Sequence, residues 1–136
     1  EWEPKPWWLL RAFHTYIHQT RRNELTNWRT GETGIILNPK HRVGLTNRFN
    51  LDEVTTLNTQ LYWTDTATPY YEYIPGKPFR RLDVRLARRL WNDRAELAVG
   101  ASNLLDRNHY EGGYDWGTNR YNEVPRQFYV EFYCHF

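Results

Sequence analysis

The chain of 136 residues has a formal net charge of +2 and is 17% aromatic, with a mean hydropathy of -0.86. That length suits one ordinary domain, and no apolar run approaches the about 20 residues that a transmembrane helix requires. Basic residues are spread along the chain, which excludes the compact basic patch of a nucleic-acid-binding protein.

Six segments alternate apolar and polar residues with the period of two that a β-strand requires. In chain order they span residues 9–19, 40–51, 54–64, 81–90, 95–101 and 126–136. Only the first lacks a clean separation into two faces, and no segment has the periodicity of a helix. The sequence therefore predicts an all-β fold, an antiparallel meander of about six strands.

The connections between these segments alternate in length. Residues 51–53 and 92–93 are typical of tight turns, whereas 20–39, 65–79 and 106–125 are long and polar. This alternation is typical of outer-membrane β-barrels, in which short turns are periplasmic and long loops are extracellular.

In such a barrel we expect aromatic side chains at two levels, one at each membrane–water interface. The periplasmic level would hold Phe49, Trp91 and Phe136, and the outer level Trp63, Phe79, Tyr110 and Phe128.

The alternation also predicts one lipid face and one interior face. The interior face would carry Arg42, Arg48, Asp83, Arg85, Arg89, Glu96 and Glu131. Asp83 and Glu96 could act as paired carboxylates, but the interleaved Arg85 and Arg89 favour a solvated ion network instead. Arg88 interrupts the lipid face near the periplasmic end, where its head can reach the interface at a cost of about 0–1 kcal/mol.

The last predicted strand separates its two faces most completely. Its apolar side consists of Phe128, Val130, Phe132, Cys134 and Phe136. On a soluble protein such a terminal row invites fraying and edge-to-edge aggregation, whereas a lipid-facing strand requires it. The pattern favours a membrane strand, and the alternative is an edge strand of a soluble β-sandwich.

The order of motifs in the second half is more specific than any one of them. Asn103-Leu104-Leu105-Asp106 follows the alternating segment 95–101 and stands 30 residues before Phe136, and Pro125-Arg126 leads into the last strand. These motifs resemble the C-terminal region of TonB-dependent outer-membrane receptors, although Leu105 stands where Phe is commoner. The resemblance covers residues 10–136.

The resemblance implies a transmembrane barrel of 22 strands with an N-terminal plug domain. Residues 1–136 would supply the last six strands, without the plug. It also implies location in the cell outer membrane and TonB-dependent, energy-coupled uptake of a scarce, bulky ligand, most often a ferric siderophore. The implied partners are outer-membrane lipid, the TonB system acting through the absent plug, and the barrel-assembly machinery. That machinery would read an assembly signal formed by Phe128, Val130, Phe132 and Phe136.

Two of the long segments contain aromatic clusters that suit a bulky, partly anionic ligand. One cluster is Tyr70, Tyr71 and Tyr73, and the other is His109, Tyr110, Tyr114, Trp116 and Arg120. Aromatic rings offer stacking area at low entropy cost, and an arginine adds a cation. The competing interpretation is that these rings belong to the outer interfacial girdle.

Other chemistry is sparse. His14 and His18 would lie about 13 Å apart along one strand, too far to share a metal ion, so the sequence predicts neither a metal site nor a cofactor. No motif for a nucleophile, for phosphate binding or for dinucleotide binding occurs. We therefore expect no enzymatic activity.

The predicted strands are too few for a complete barrel of one chain, which has about 8 or more. Either the chain is the C-terminal piece of a larger barrel, which its abrupt start at Glu1 favours, or several copies build one barrel together. In both cases we expect that the chain does not fold alone. The soluble alternative is an aromatic-rich β-sandwich that binds carbohydrate or another ligand. It requires Leu82, Val84 and Leu86 to be buried against a second sheet.

Overall fold

Eleven β-strands make up the regular structure of the described residues in a computed structural model of the chain. The structure describes residues 1–18, 23–26, 33–36, 40–65, 78–106, 108–115 and 120–134, with the backbone alone for 23–26, 33–36, 108–115 and 120–123. The strands are β1 (Trp2–Lys5), β2 (Trp8–Tyr16), β3 (Asn23–Thr26), β4 (Thr33–Ile36), β5 (His41–Asn50), β6 (Thr55–Thr64), β7 (Phe79–Leu90), β8 (Ala95–Ser102), β9 (Asn108–Asp115), β10 (Arg120–Pro125) and β11 (Gln127–Cys134). The predicted all-β class is confirmed.

Seven strands form one antiparallel sheet in the order β1-β2-β5-β6-β7-β8-β11. Each strand pairs with the next one of this sheet along the chain, so the sheet is a meander. The sheet is not closed, and β1 and β11 are its two edges. All six predicted strands are present in it. The additional strand β1 was not predicted because its four residues are too few to establish an alternation.

Two segments that the sequence analysis treated as long loops contain two-stranded ribbons. β3 pairs with β4 between residues 23 and 36, and β9 pairs with β10 between residues 108 and 125. Alternation detects a strand only where one face is apolar. Strands of sequence NELT and NHYEGGYD have no such face, which is why the prediction missed these ribbons.

The register keeps apolar residues opposite apolar residues across the main sheet. Leu61 pairs with Leu82, and Val99 pairs with both Leu86 and Val130. Because paired residues project to the same side, one face of the sheet is apolar and the other is polar. The apolar face carries Leu45, Leu57, Leu61, Leu82, Val84, Leu86, Leu97, Val99, Phe128, Val130 and Phe132, and the polar face carries Arg42, Arg48, Asp83, Arg85, Arg89, Glu96 and Glu131.

Short turns at residues 51–54 and 91–94 define the turn end of the sheet, and the opposite end is its loop end. In the first turn, Asp52 Oδ1 accepts the N–H groups of Val54 and Thr55 at 2.8 and 2.7 Å. The hydrogen bond from Val54 is the largest of the effects that lower the pKa of this exposed carboxyl. In the second turn, Trp91 has φ 53°, a left-handed conformation that costs about 1–2 kcal/mol for a residue with a Cβ.

Burial within the described residues is confined to small side chains. The buried apolar residues are Ala87, Ala95 and Ala98, and the largest fully buried side chain is Asn103. A soluble domain of ordinary size buries many large apolar groups around one core. The described sheet has no such core of its own.

Candidate functional site

The apolar face is open along the terminal strand. Phe128, Val130 and Phe132 are 75%, 70% and 55% exposed, and Val99 on the neighbouring strand is 46% exposed. Scattered exposed apolar residues are normal, but a contiguous apolar patch marks contact with a partner or with lipid. The three residues share one face, as the alternation predicted. Their role as an assembly signal stays a prediction, and Phe136 lies outside the described residues.

Three side chains on the apolar face are joined by hydrogen bonds between their polar groups. Asn47 Nδ2 donates to Thr59 Oγ1 at 3.2 Å, and Asn47 Oδ1 accepts the indole N–H of Trp8 at 3.0 Å. Polar atoms can lie in a lipid environment when the protein supplies their hydrogen bonds. The alternation of apolar and polar residues did not predict these hydrogen bonds, because it contains no information about cross-strand partners.

Arg88 interrupts the apolar face close to the turn end, as the sequence predicted. Its Nη1 donates to Thr55 Oγ1 at 3.0 Å and lies 3.7 Å from Asp52 Oδ2. The aliphatic stem therefore crosses the apolar face while the charged head reaches the level of the turn.

Aromatic rings collect at the turn end of the sheet. The ring centroids of Phe49 and Trp7 are 6.3 Å apart, and those of Trp91 and Phe132 are 6.1 Å apart in an edge-on arrangement. Trp7 and Trp91 are 51% and 68% exposed. Large exposed rings at one level are typical of an interface between apolar and aqueous phases.

Phe79 lies at the loop end of the sheet, the level expected for it, but on the polar face. β7 begins two residues earlier than predicted, so Phe79 continues the alternation of Asp83 and Arg85 on the polar face. It pairs with Thr64, and its ring centroid lies 5.9 Å from that of Tyr62.

Arg85 is the centre of an ion network on the polar face. Its Nη2 donates to Glu96 Oε1 at 2.6 Å, and its Nε donates to Glu131 Oε2 at 3.0 Å. One guanidinium thereby joins strands β7, β8 and β11. These contacts confirm the predicted ion network for Arg85 and Glu96, and Glu131 also belongs to it.

Glycines allow aromatic rings to lie against the floor of the polar face. The ring of Tyr129 occupies the space that a side chain on Gly100 would need, and the ring of Phe13 does the same at Gly44. Any larger residue at either glycine would collide with the ring. These rings lie on the same face as the charged network and give it an amphipathic lining.

Asn103 joins three strands at the loop end of the sheet. It is fully buried with φ 56°, its backbone N–H donates to Asp83 Oδ1 at 2.9 Å, and its Nδ2 donates to the carbonyl oxygen of Val124 at 2.8 Å. The residue thus links the end of β8 to β7 and to the end of β10, which leads into β11.

The rest of the Asn103–Asp106 motif extends this connection. Asp106 Oδ2 accepts the N–H of Arg80 at 2.9 Å, and Arg126 Nη2 donates to the carbonyl oxygen of Leu104 at 2.7 Å. The motif that carries the resemblance therefore has a structural task. We call Asp83, Asn103, Leu104, Asp106 and Arg126 the loop-end clasp.

A recess of about 350 Å³ opens on the polar face at the turn end. Its lining includes Arg48, Thr56, Arg89 and Glu96. Arg89 is held by Asp93, with Nη1 3.2 Å from Oδ1. Arg48 has no hydrogen bond or ion pair to another residue within the described ranges. The size reaches the lower end of ligand pockets, which have about 300–1,000 Å³, and Arg48 offers an unpaired cation.

The predicted ligand residues are only partly within the described structure. Tyr70, Tyr71, Tyr73 and Trp116 lie outside the described residues. His109, Tyr110 and Tyr114 lie on β9 and Arg120 lies on β10, so the backbone brings these four onto one ribbon, with Tyr114 paired to Tyr121 and Arg120 paired to Asp115. Their proposed contact with a ligand stays a prediction.

Comparisons with protein families, with curated proteins and with solved structures found no match for this chain. Within the described ranges, no helix is long and apolar enough to cross a membrane. No group of three or more His, Cys, Asp or Glu in that part of the chain is arranged to hold a metal ion. The two faces of the sheet and the motifs of the sequence are therefore the features that bear on function.

Proposed function

We propose that residues 1–136 belong to the barrel of a TonB-dependent outer-membrane receptor that takes up a scarce, bulky ligand such as a ferric siderophore. The proposal rests on one observation above all: a single antiparallel sheet has an exposed apolar face and a charged polar face. A transmembrane barrel requires apolar rows toward lipid and permits ionised rows toward its interior.

Lipid is a suitable environment for the apolar face. Leu61, Leu97, Val99 and Val130 are between 37% and 70% exposed, and each such side chain gains up to about 1.5–3 kcal/mol when it leaves water completely. The polar side-chain groups of Trp8, Asn47 and Thr59 on this face are bonded to one another. The same face in water would favour association with other copies.

The polar face is suited to an aqueous or plugged interior. It carries more arginines than carboxylates, and neither Arg42 nor Arg48 has an ion pair to another residue of the described chain. Unpaired guanidinium groups beside aromatic rings attract bulky anions. This charge balance supports an anionic ligand such as a ferric chelate, bound without enzymatic conversion.

The open edges also support a larger barrel. β1 and β11 each leave one row of backbone groups without a strand partner in the described sheet. Backbone groups inside a bilayer must be paired, so spanning sheets close on themselves. The family that the motifs resemble reaches closure with 22 strands, and we propose that further strands complete this sheet.

The soluble β-sandwich remains the competing proposal, and the sheet gives it little support. A sandwich requires a second sheet over Leu82, Val84 and Leu86, yet Leu86 is 39% exposed. Within the described ranges, the contacts of the seven strands run between sheet neighbours. The two ribbons pair internally rather than extending a second layer.

Uptake by cells tests the proposed function. The complete protein containing this chain should be produced in iron-starved Gram-negative cells that lack their own siderophore receptors. We expect it to restore accumulation of one member of a panel of radio-iron-labelled siderophores, and a protonophore should abolish that accumulation. Accumulation that persists with the protonophore would contradict energy coupling. Recovery of the protein from the soluble fraction would contradict the membrane location.

A further inference from the structure

We propose that His14 and His41 form a binding site for a divalent transition-metal ion, with Cu²⁺ as the preferred occupant. The two residues lie on the adjacent strands β2 and β5, on the apolar face at the loop end of the sheet. The inference is independent of the transport function, because it depends only on the relation of these two strands.

The register brings the two imidazole rings together across the strands. His14 pairs with Val43 and His41 pairs with Tyr16, so the two histidines are diagonal neighbours on one face. His14 Nε2 lies 3.1 Å from His41 Nδ1. The ring planes differ by 5° while the centroids are 5.4 Å apart. With the nitrogens so much closer than the centroids, the rings meet edge to edge rather than face over face.

This separation suits two ligands of one metal ion. Imidazole nitrogens bind Zn²⁺ at about 2.0–2.1 Å, and with bonds of that length two nitrogens lie about 2.9 Å apart in a square-planar shell or about 3.4 Å apart in a tetrahedral one. The observed 3.1 Å falls between these values. The centroid separation equals the nitrogen separation plus the two ring radii, so the two nitrogens point at each other in the hydrogen-bonded state. Both rings must turn for their lone pairs to converge on one ion.

The position of His41 is fixed before any ion binds. Its backbone N–H donates to Asp65 Oδ2 at 3.1 Å, and its carbonyl oxygen accepts the N–H of Asp65 at 3.1 Å. The ring of Tyr16 lies against its imidazole, with centroids 5.1 Å apart. Ligands that are held in place by such contacts lose less freedom on binding.

The chemistry of the pair favours Cu²⁺ over other common divalent ions. Imidazole suits Cu, Zn, Ni and Fe, and among first-row divalent ions Cu²⁺ binds a given nitrogen site most tightly. No third His, Cys, Asp or Glu joins the pair in the described part of the chain. Water would complete the coordination shell, because the pair lies at the loop end of the sheet, where His41 is the first residue of β5.

Footprinting of the unmodified protein tests the site without any substitution. The complete protein containing this chain is purified in detergent, treated with diethyl pyrocarbonate with and without Cu²⁺, and analysed by peptide mass spectrometry. We expect Cu²⁺ to protect both His14 and His41 from modification. His18, which has no contact with the pair, is the internal control and should react equally with and without Cu²⁺. Equal reaction of His14 or His41 at saturating Cu²⁺ would overturn the proposal.

Two variants distinguish a shared site from separate ones. His14→Gln should abolish the protection of His41 and lower Cu²⁺ affinity by at least about tenfold, because even loss of an outer partner of a metal ligand costs 10–100-fold. The matched variant His18→Gln should leave both readouts unchanged. If His41 remains protected in His14→Gln, the two residues do not share one ion.

Discussion

At the scale of single residues, Asn103 carries a strain that its contacts offset. The φ angles of Asn92 and Asn103 are nearly equal, 53° and 56°. Asn92 is exposed, whereas Asn103 is fully buried and its Nδ2 donates to the carbonyl oxygen of Val124. Both Asn92→Ala and Asn103→Ala put alanine into a left-handed conformation. Only Asn103→Ala also removes a part-buried hydrogen bond to Val124, and such a bond contributes about 0.5–1.5 kcal/mol.

We therefore expect Asn103→Ala to lower the free energy of unfolding by about 0.5–1.5 kcal/mol more than Asn92→Ala does. Denaturant unfolding of the complete protein in detergent micelles measures the difference. Equal losses for the two variants would show that the loop-end clasp contributes nothing beyond the strained backbone.

Asp52 makes the first turn sensitive to acid. Hydrogen bonds from Val54 and Thr55 lower the pKa of its carboxyl below the ordinary 3.8. Stabilisation by a group of lowered pKa is complete above the ordinary value and is lost as the pH falls through the lower folded value. We expect amide exchange of Val54 and Thr55, corrected for its intrinsic pH dependence, to accelerate over that range.

The variant Asp52→Asn should remove this acceleration, because an amide does not titrate there. Asp93→Asn, in the other short turn, is the control and should keep it. If the unmodified protein and Asp52→Asn show the same pH profile, the carboxylate does not hold the turn.

At the scale of elements, the terminal strand β11 should tolerate a charge on one face only. Val130 is 70% exposed on the apolar face and pairs with Val99, whereas Gln127 is exposed on the polar face. An arginine toward lipid near the middle of the bilayer costs about 2–4 kcal/mol, and an arginine toward the interior costs little.

We thus expect Val130→Arg to reduce the fraction of complete protein that assembles in outer membranes, and Gln127→Arg to leave it nearly unchanged. The readout is the heat-modifiable band on an unboiled gel. Greater damage from Gln127→Arg than from Val130→Arg would mean that the assignment of the two faces is reversed.

The sequence predicted the strands that have an apolar face and missed those that lack one. Alternation located the six segments of the main sheet, because each must keep one side apolar. The ribbon strand Asn23–Thr26 offers no such signal, and β1 is too short to show one. The start of β7 at Phe79 was also missed, since a strand end cannot be read to within two residues.

The candidate sites were harder to predict from the sequence than the strands were. The Asn103–Asp106 motif could be recognised by resemblance, but its contacts with Asp83 and Arg126 depend on how β7, β8 and β11 pair. The His14–His41 pair likewise depends on register across 27 residues. Spacing along one strand could exclude His14 with His18, yet it could not reveal a partner on the next strand.

At the scale of the whole molecule, the described sheet has two faces and no core of large buried side chains. Its buried apolar residues are three alanines, its edges are open, and its two faces differ sharply in polarity. Under the proposed function, such a sheet has lipid on one face, protein or water on the other, and further strands at both edges. Membrane insertion as part of a larger barrel meets all three conditions at once.

Spin labels on neighbouring residues of β6 test this account most directly. Leu61 and Gln60 are both exposed at adjacent positions of one strand but lie on opposite faces. In the complete protein with Cys134→Ser, reconstituted in lipid bilayers, nitroxides are attached to Leu61→Cys and to Gln60→Cys. We expect molecular oxygen, which partitions into lipid, to relax the label at 61 more strongly. A water-soluble nickel chelate should relax the label at 60 more strongly. Equal accessibility to the nickel chelate at both positions would contradict the membrane-facing assignment of the apolar face.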